Sequence, residues 1–279
     1  MFAWSSVAGE RPAVMGIVNV TPDSFSDGGR YLDPDAAVAH GLALVAAGAD
    51  VLDVGGESTR PGAEPVPAAE ELRRVLPVVE RLAAEAGVPV SVDTRKASVA
   101  AGALAVGASI VNDVAAGSDP DMFGVVAEAG AGIVLMHMRG EPSTMQESPR
   151  YDDVVAEVGD YLVARLERAA AAGIAHSSRC VDPGLGFGKT AEHNLELLAR
   201  LRELVARVDV PVFVGPSRKS FIGKIVGDDV VARDDGTLAT AVWAVDHGAR
   251  IVRVHEVAAI VDALRLLDVM RELDAAAVA

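Results

Sequence analysis

Eight apolar runs along the chain each end in polar or charged residues. In order these are Asn19, Asp53, Asp93, Asn112 with Asp113, His137, Asp182, Ser217-Arg218-Lys219, and Arg253 with His255. Carboxylates and amides dominate the early and middle runs, and basic groups the last two. A carboxylate accepts two parallel N–H bonds from the edge of a flat, nitrogen-rich heterocycle, and Asn adds one donor and one acceptor. Arg218, Lys219, Arg253 and His255 suit a diphosphate bound through charge-assisted hydrogen bonds. The amide oxygen of Asn19 is a hard ligand fitted to Mg²⁺, an ion that keeps several waters and bridges substrate phosphates. Taken singly, each Asp or Asn has a blander role as the cap of a following helix. Capping leaves the basic residues of the last two runs unexplained.

Other chemical signals are weaker. The stretch Gly184–Lys189 is glycine-rich and basic, but lacks the spacing of a P-loop or a dinucleotide fingerprint. Its glycines read as sites of close backbone approach. His137 and His255 have no zinc-ligand spacing around them, and no nucleophile elbow occurs. His40, His176, His193 and His247 fall in helices or turns, and Lys189 and Arg30 read as solvated surface charges. Cys180 is the single cysteine, which reads as a small buried residue in a reducing compartment rather than a nucleophile.

The elements that must position these groups follow from the pattern of apolar residues. Strands are expected at Val14–Val18, Val51–Val54, Val88–Val92, Ser109–Val111, Ile133–Met136, Arg179–Val181, Val210–Val214 and Ile251–Val254. Between them lie helical stretches at Pro34–Ala47, Ala68–Ala84, Lys96–Val106, Met122–Glu128, Val154–Ala172 and His193–Val205, with Val257–Met270 last. Alternating units of this length specify an α/β fold with a parallel sheet, and eight of them a single-domain (β/α)₈ TIM barrel over residues 1–279. The chain is 279 residues long and 51% hydrophobic, enough for one large core. The polar stretches Thr21–Arg30, Glu57–Pro67 and Arg139–Arg150 all follow strands, which places them at the C-terminal face where barrel chemistry resides. Ala232–Gly236 reads as a simple connection.

A net charge of −15 argues against nucleic acid or an anionic membrane as partner. The first residues carry no basic segment followed by a long apolar one, and no apolar run approaches a membrane span. A cytoplasmic enzyme acting on small molecules is the expectation.

At these residues the chain closely resembles the dihydropteroate synthases. The matching stretches are GIVNVTPDSFSDGG (Gly16–Gly29), DVGGESTRPG (Asp53–Gly62), SVDT (Ser91–Thr94), IVNDV (Ile110–Val114), LMHMRGEPSTMQ (Leu135–Gln146), DPGLGFGK (Asp182–Lys189), GPSRKSFIG (Gly215–Gly223) and RVHEV (Arg253–Val257). The resemblance implies 6-hydroxymethyl-7,8-dihydropterin diphosphate and p-aminobenzoate as substrates. It also implies 7,8-dihydropteroate and diphosphate as products, Mg²⁺ as cofactor and a homodimer through outer helices.

Carried over by position, Asp93, Asn112, Met136, Asp182, Phe187 and Lys219 look like the pterin set. Asn19, Arg253 and His255 look like the diphosphate site, with Asn19 at the metal. Phe25, Ser26, Thr59, Arg60, Pro61 and Ser220 look like the p-aminobenzoate site. Asp23, Asp27, Arg60, Lys219 and Arg253 are the residues implied in catalysis. Pro216 departs from the family pattern, which more often has another small or apolar residue there. A corrinoid-linked pterin methyltransferase would not need the DSFSDGG and ESTRPG loops. A binding module that has lost turnover would show erosion at Asn19, Asp27, Arg60, Lys219 or Arg253, and none is eroded.

Overall fold

A computed structural model describes residues 1–21, 33–58, 63–141, 144–227 and 229–278. Eight parallel strands run as β1 (Ala13–Asn19), β2 (Val51–Gly55), β3 (Val90–Asp93), β4 (Ile110–Asp113), β5 (Gly132–Met136), β6 (Arg179–Asp182), β7 (Phe213–Val214) and β8 (Ile251–Val254). Their order around the sheet is β6-β5-β4-β3-β2-β1-β8-β7, and a parallel bridge between Val181 and Val212 joins the two ends into a barrel. The outer layer holds α1 (Pro34–Ala46), α2 (Ala68–Glu85), α3 (Ala97–Ala105), α4 (Met122–Ala129), α5 (Val154–Ala171), α6 (Ala191–Ala199), α7 (Leu201–Val208), α8 (Ser220–Val226), α9 (Val230–Asp246) and α10 (Val257–Val278). The expected α/β barrel is the observed one.

Side chains alternate across each strand, so every second residue faces the barrel axis. One inward layer is mainly apolar: Met15, Val51, Ile110, Val134, Cys180, Phe213 and Ile251 pack together with Ala13, with Ser91 of β3 at the level of Ile110. Two residues further along the same strands stand Asp53, Asn112, Met136, Asp182 and Arg253. The pairing registers Asp93↔Asn112 and Met136↔Asp182 hold these at one level. The apolar floor and the polar ring are thus consecutive layers of one barrel. The outward-facing set, including Val14, Val54, Val92, Val111, Ile133, Val181 and Val252, merges with the inner faces of the helices. Cys180 lies in the floor, where burial pushes its thiol well above its ordinary range, as expected of a small core residue.

Three expectations change. The seventh strand shrinks to Phe213–Val214, because Pro211 has no N–H to donate and contributes only its carbonyl, which accepts from Val181 N at 3.1 Å. The stretch His193–Val205 divides into α6 and α7 at Arg200, with φ −105° and ψ 22°. Thr190 caps α6, its hydroxyl accepting from His193 N at 3.2 Å while the His193 ring accepts from Thr190 N. Ala232–Gly236 is no connection but part of α9, which Asp229 caps through Val231 N at 2.8 Å. Its polar residues serve the β7 loop, since Asp234 takes a forked bond from Arg218.

The N-terminal segment closes the floor from below. A short 3₁₀ turn, Trp4–Ser6, seats Trp4 at 1% exposure against the apolar layer, and its indole N–H donates to Ser178 O at 3.1 Å. Phe2 meets it edge-on, with ring centroids 5.2 Å apart. Emptying a site of this size removes both transfer energy and packing. Trp4→Ala is expected to lower unfolding free energy by about 3–5 kcal/mol, read as a fall in the urea midpoint; an unchanged midpoint would show that the plug adds nothing.

Candidate active site

The polar ring is organised by one guanidinium. Arg253, from β8, donates through Nε to Asp53 Oδ2 at 2.5 Å and through a terminal nitrogen to Asp93 Oδ2 at 2.8 Å. Asn112 adds a bond from Nδ2 to the same Asp53 oxygen at 3.0 Å. Asp53 is fully buried and Asp93 nearly so. Two carboxylates on one cation leave an excess negative charge out of water, and the ring shows the strain of that. Burial, with Asp53 and Glu71 adding to it and Arg253 opposing it, pushes the Asp93 carboxyl up to about 7. Arg253 is held above its ordinary value, burial being outweighed by Asp53 and Asp93. Asp53 Oδ1 and Asp93 Oδ1 are buried and accept no hydrogen bond among the described residues. Buried acceptors in that state leave hydrogen-bonding capacity that a further donor can fill.

Beside the ring lies an apolar slot. Met136, Val114, Met145 and Phe187 form one buried cluster, with Met138 packed against it. Lys219, just before α8, carries its ammonium 3.9 Å from the centroid of the Phe187 ring. Asp182 closes the slot from β6, its Oδ1 accepting from Gly184 N at 2.7 Å. Burial raises the Asp182 carboxyl to about 6, opposed by that bond and by Lys219, Lys189 and Arg253. Contacts and charge couplings through Arg253, Asp53 and the Phe187 cluster link Asp93, Asn112, Met136, Asp182, Phe187 and Lys219, the six residues expected at a pterin site.

Asn19 and His255 stand at the ends of the adjacent strands β1 and β8. Ser217 Oγ lies 2.7 Å from His255 Nδ1 and accepts from His255 N at 3.1 Å. Arg218 was expected with them; its guanidinium instead forks onto Asp234 and reaches Glu256. Ser220 is exposed at the start of α8. Asp113, expected at the strand end with Asn112, turns to the opposite face. There it accepts from Ala115 N at 2.8 Å and Gly117 N at 2.5 Å, a turn-capping role. Among the described residues no cluster of three His, Cys, Asp or Glu can hold a metal. Asp23, Phe25, Ser26, Asp27, Arg30, Thr59, Arg60 and Pro61 lie outside the described residues. At the base of the second of those stretches, Glu57 pairs with Lys96 and accepts from Val66 N at 3.3 Å.

Lys189 corrects a further expectation. It is not a surface charge: it is 3% exposed, and its ammonium sits among backbone carbonyls and the His137 ring. Asp53, Met145 and Val114 also join the site, although none is expected there from the family motifs. Asp53 was visible as a strand-end carboxylate; Met145 and Val114 come from loops whose direction no strand pattern reveals.

Comparison with known proteins agrees with this geometry. The model of the pterin binding enzyme family matches residues 15–255. The dihydropteroate synthase of Mycobacterium leprae is 54% identical over 262 residues, 91% of this chain and 92% of that protein. The Xanthomonas albilineans dihydropteroate synthase solved with 4-aminobenzoic acid superposes with a TM-score of 0.88 at 50% identity, covering 94% of each chain. The same enzyme in complex with 7,8-dihydropteroate gives 0.85 at 47% identity, covering 95% of this chain and 98% of that one. The barrel, its ring of strand-end residues and these likenesses place the chain in the pterin binding enzyme family, among the dihydropteroate synthases.

Proposed function

We propose that the ring at the strand ends seats 6-hydroxymethyl-7,8-dihydropterin diphosphate, and that p-aminobenzoate displaces its diphosphate to give 7,8-dihydropteroate. The observation that carries this reading is the pair of buried carboxylates on Arg253, each with an oxygen unbonded among the described residues, on the same barrel face as the apolar cluster of Met136 and Phe187. A pterin supplies what both lack: an edge of N–H donors for the acids and an aromatic face for Met136 and Phe187.

In the reaction the C–O bond to diphosphate breaks, the C–N bond to the arylamine forms, and the amine loses one proton. The reacting carbon is attached to an electron-rich ring, so positive charge develops there as diphosphate leaves. Asp93 and Asp182 stabilise that charge electrostatically. Lys219, held at the face of Phe187, keeps the slot's wall in place and adds a positive group beside the pterin. Arg253 and His255 take the leaving diphosphate. Arg253 reaches it while still tied to Asp53 and Asp93, and its carboxylate partners keep it from swinging free.

Asn19 fits an Mg²⁺ held mainly by substrate, since it offers one hard oxygen and no cluster of three His, Cys, Asp or Glu occurs among the described residues. Bound there, the ion would neutralise charge on the departing diphosphate. Phe25, Ser26, Thr59, Arg60, Pro61 and Ser220 are assigned to p-aminobenzoate, with Asp23, Asp27 and Arg60 also assigned to the chemistry, by resemblance to the family. The reading includes a cytoplasmic homodimer. Trp243, Leu266, Val269, Met270 and Leu273 are exposed apolar side chains on α9 and α10, an area that an isologous contact would cover.

Purified protein given the pterin diphosphate, Mg²⁺ and p-aminobenzoate is expected to release diphosphate in step with dihydropteroate. Omission of any component should stop it, and a sulfonamide, which mimics p-aminobenzoate, should suppress it. Pterin binding without turnover under these conditions would refute the assignment.

A second outcome follows from the Asp93 carboxyl. Its folded value is raised, so the fold is penalised as pH climbs from about 4 to about 7 and the unfolded chain ionises more readily. Asp93→Asn leaves Arg253 and Asp53 as a neutral pair. At about pH 8 this variant should unfold at higher temperature, by about 1–2 kcal/mol of stability, while pterin affinity drops at least about ten-fold. Thermal melting and calorimetric titration check the two halves; a loss of stability would contradict the charge argument.

A further inference from the structure

We propose that Lys189 is a positioning residue of the pterin pocket, its buried ammonium stitching the loops after β5 and β6 into one wall. The proposal rests on the pterin-site reading above and deepens it. Nζ of Lys189 donates to Gly184 O and Phe187 O, both at 3.0 Å, lies 2.9 Å from His137 Nδ1, and is 3.4 Å from His137 O. An ammonium has three hydrogens and no lone pair. Three short contacts, two to carbonyls and one to the imidazole, therefore use all of them. His137 must then accept at Nδ1, so its ring is neutral with the proton on Nε2; burial together with Lys189 and Arg139 holds it far below its ordinary value. On its other side the ring meets Tyr161 edge-on at 4.9 Å.

The backbone is shaped around this cation. Gly184, Gly186 and Gly188 all have positive φ, at 69°, 80° and 62°, a region that side chains disfavour. A Cβ on Gly184 would lie 1.9 Å from His137 O, and one on Gly188 would lie 2.4 Å from Arg139 O. The two loops thus touch backbone to backbone. Tyr151 adds a lateral tie, its hydroxyl donating to Gly188 O at 2.8 Å, and Gln146 donates to Gly186 O at 2.7 Å.

The same turn carries the pocket. Gly184 N holds Asp182, and Phe187 is the wall over which Lys219 lies. Without the ammonium, the carbonyls of Gly184 and Phe187 converge on nothing, and the cheapest relief is to turn away, taking Phe187 with them. Burial lowers the Lys189 ammonium to about 7, so below that pH it also acts on Asp182 through its charge, favouring the carboxylate. The charged and titratable groups facing it are His137 and Arg139 from the β5 loop, Asp182 from β6 and Lys219 from the β7 loop.

The test compares wild type, Lys189→Met and Tyr151→Phe for both KM values, kcat, pterin affinity across pH, and thermal unfolding. Lys189→Met keeps length and loses the donors and charge. It should raise the KM for pterin diphosphate by about ten-fold, leave the KM for p-aminobenzoate within about two-fold, and move the acid limb of pterin binding to higher pH as Asp182 loses its cation. Tyr151→Phe, which keeps the charge, should raise the pterin KM by about two- to three-fold without moving that limb. A variant Lys189→Met that melts earlier but keeps wild-type KM values and pH profile would overturn the proposal, as would equal rises in both KM values. Should Lys189→Met not fold, an unchanged pterin KM in Tyr151→Phe overturns it. Wild-type protein that binds no pterin would instead refute the underlying reading, not the role of Lys189.

Discussion

Arg253 sits between two buried carboxylates, and much of the molecule follows from that. A single buried ion pair needs exact satisfaction of both partners to break even. Here one guanidinium serves Asp53 and Asp93, Asn112 completes Asp53, and one oxygen on each acid is left over. The arrangement is rigid on its cationic side and unfinished on its acidic side. A ligand rich in N–H groups finishes it, so part of the binding energy is stored in the fold as unmet hydrogen-bonding capacity. The raised value of Asp93 is the electrostatic sign of the same deficit.

Such a cluster survives only on a stiff frame. The period-two alternation of eight short parallel strands provides one: an apolar layer packed over Trp4, then the polar layer one step above it. The same strands that bury Cys180, Ile251 and Val51 in the floor carry Asp182, Arg253 and Asp53 in the ring. Position within the ring is therefore fixed by core packing, while the loops above supply Phe187, Met145 and Lys219 as walls.

What was legible in the sequence and what was not divides along that line. Strand ends could be read because alternation and length suffice to locate them, and the barrel then brings Asp93, Asn112, Asp182 and Arg253 together. Lys189 was misread because a lysine in a glycine-rich loop is usually solvated; its burial depends on the β5 and β6 loops meeting, a long-range event with no local pattern. Arg218 looked like a phosphate ligand until α9 extended back through Arg233 and Asp234 to claim it. Asp113 and Asn112 are neighbours with opposite fates, since adjacent residues of a strand face opposite ways and only one can join the ring. Pro211 shortened β7 by a rule that was available from the residue itself.

The central claim is that Asp93 and Asp182 are partly protonated when the site is empty and become carboxylates on a pterin. Calorimetric titration with 6-hydroxymethyl-7,8-dihydropterin, repeated in buffers of different ionisation enthalpy, counts the protons exchanged. With Asp93 near 7 and Asp182 near 6 in the empty site, binding should release about one proton at about pH 6.5 and almost none at about pH 8.5. Binding with no proton release at the lower pH, or with uptake, would contradict the account.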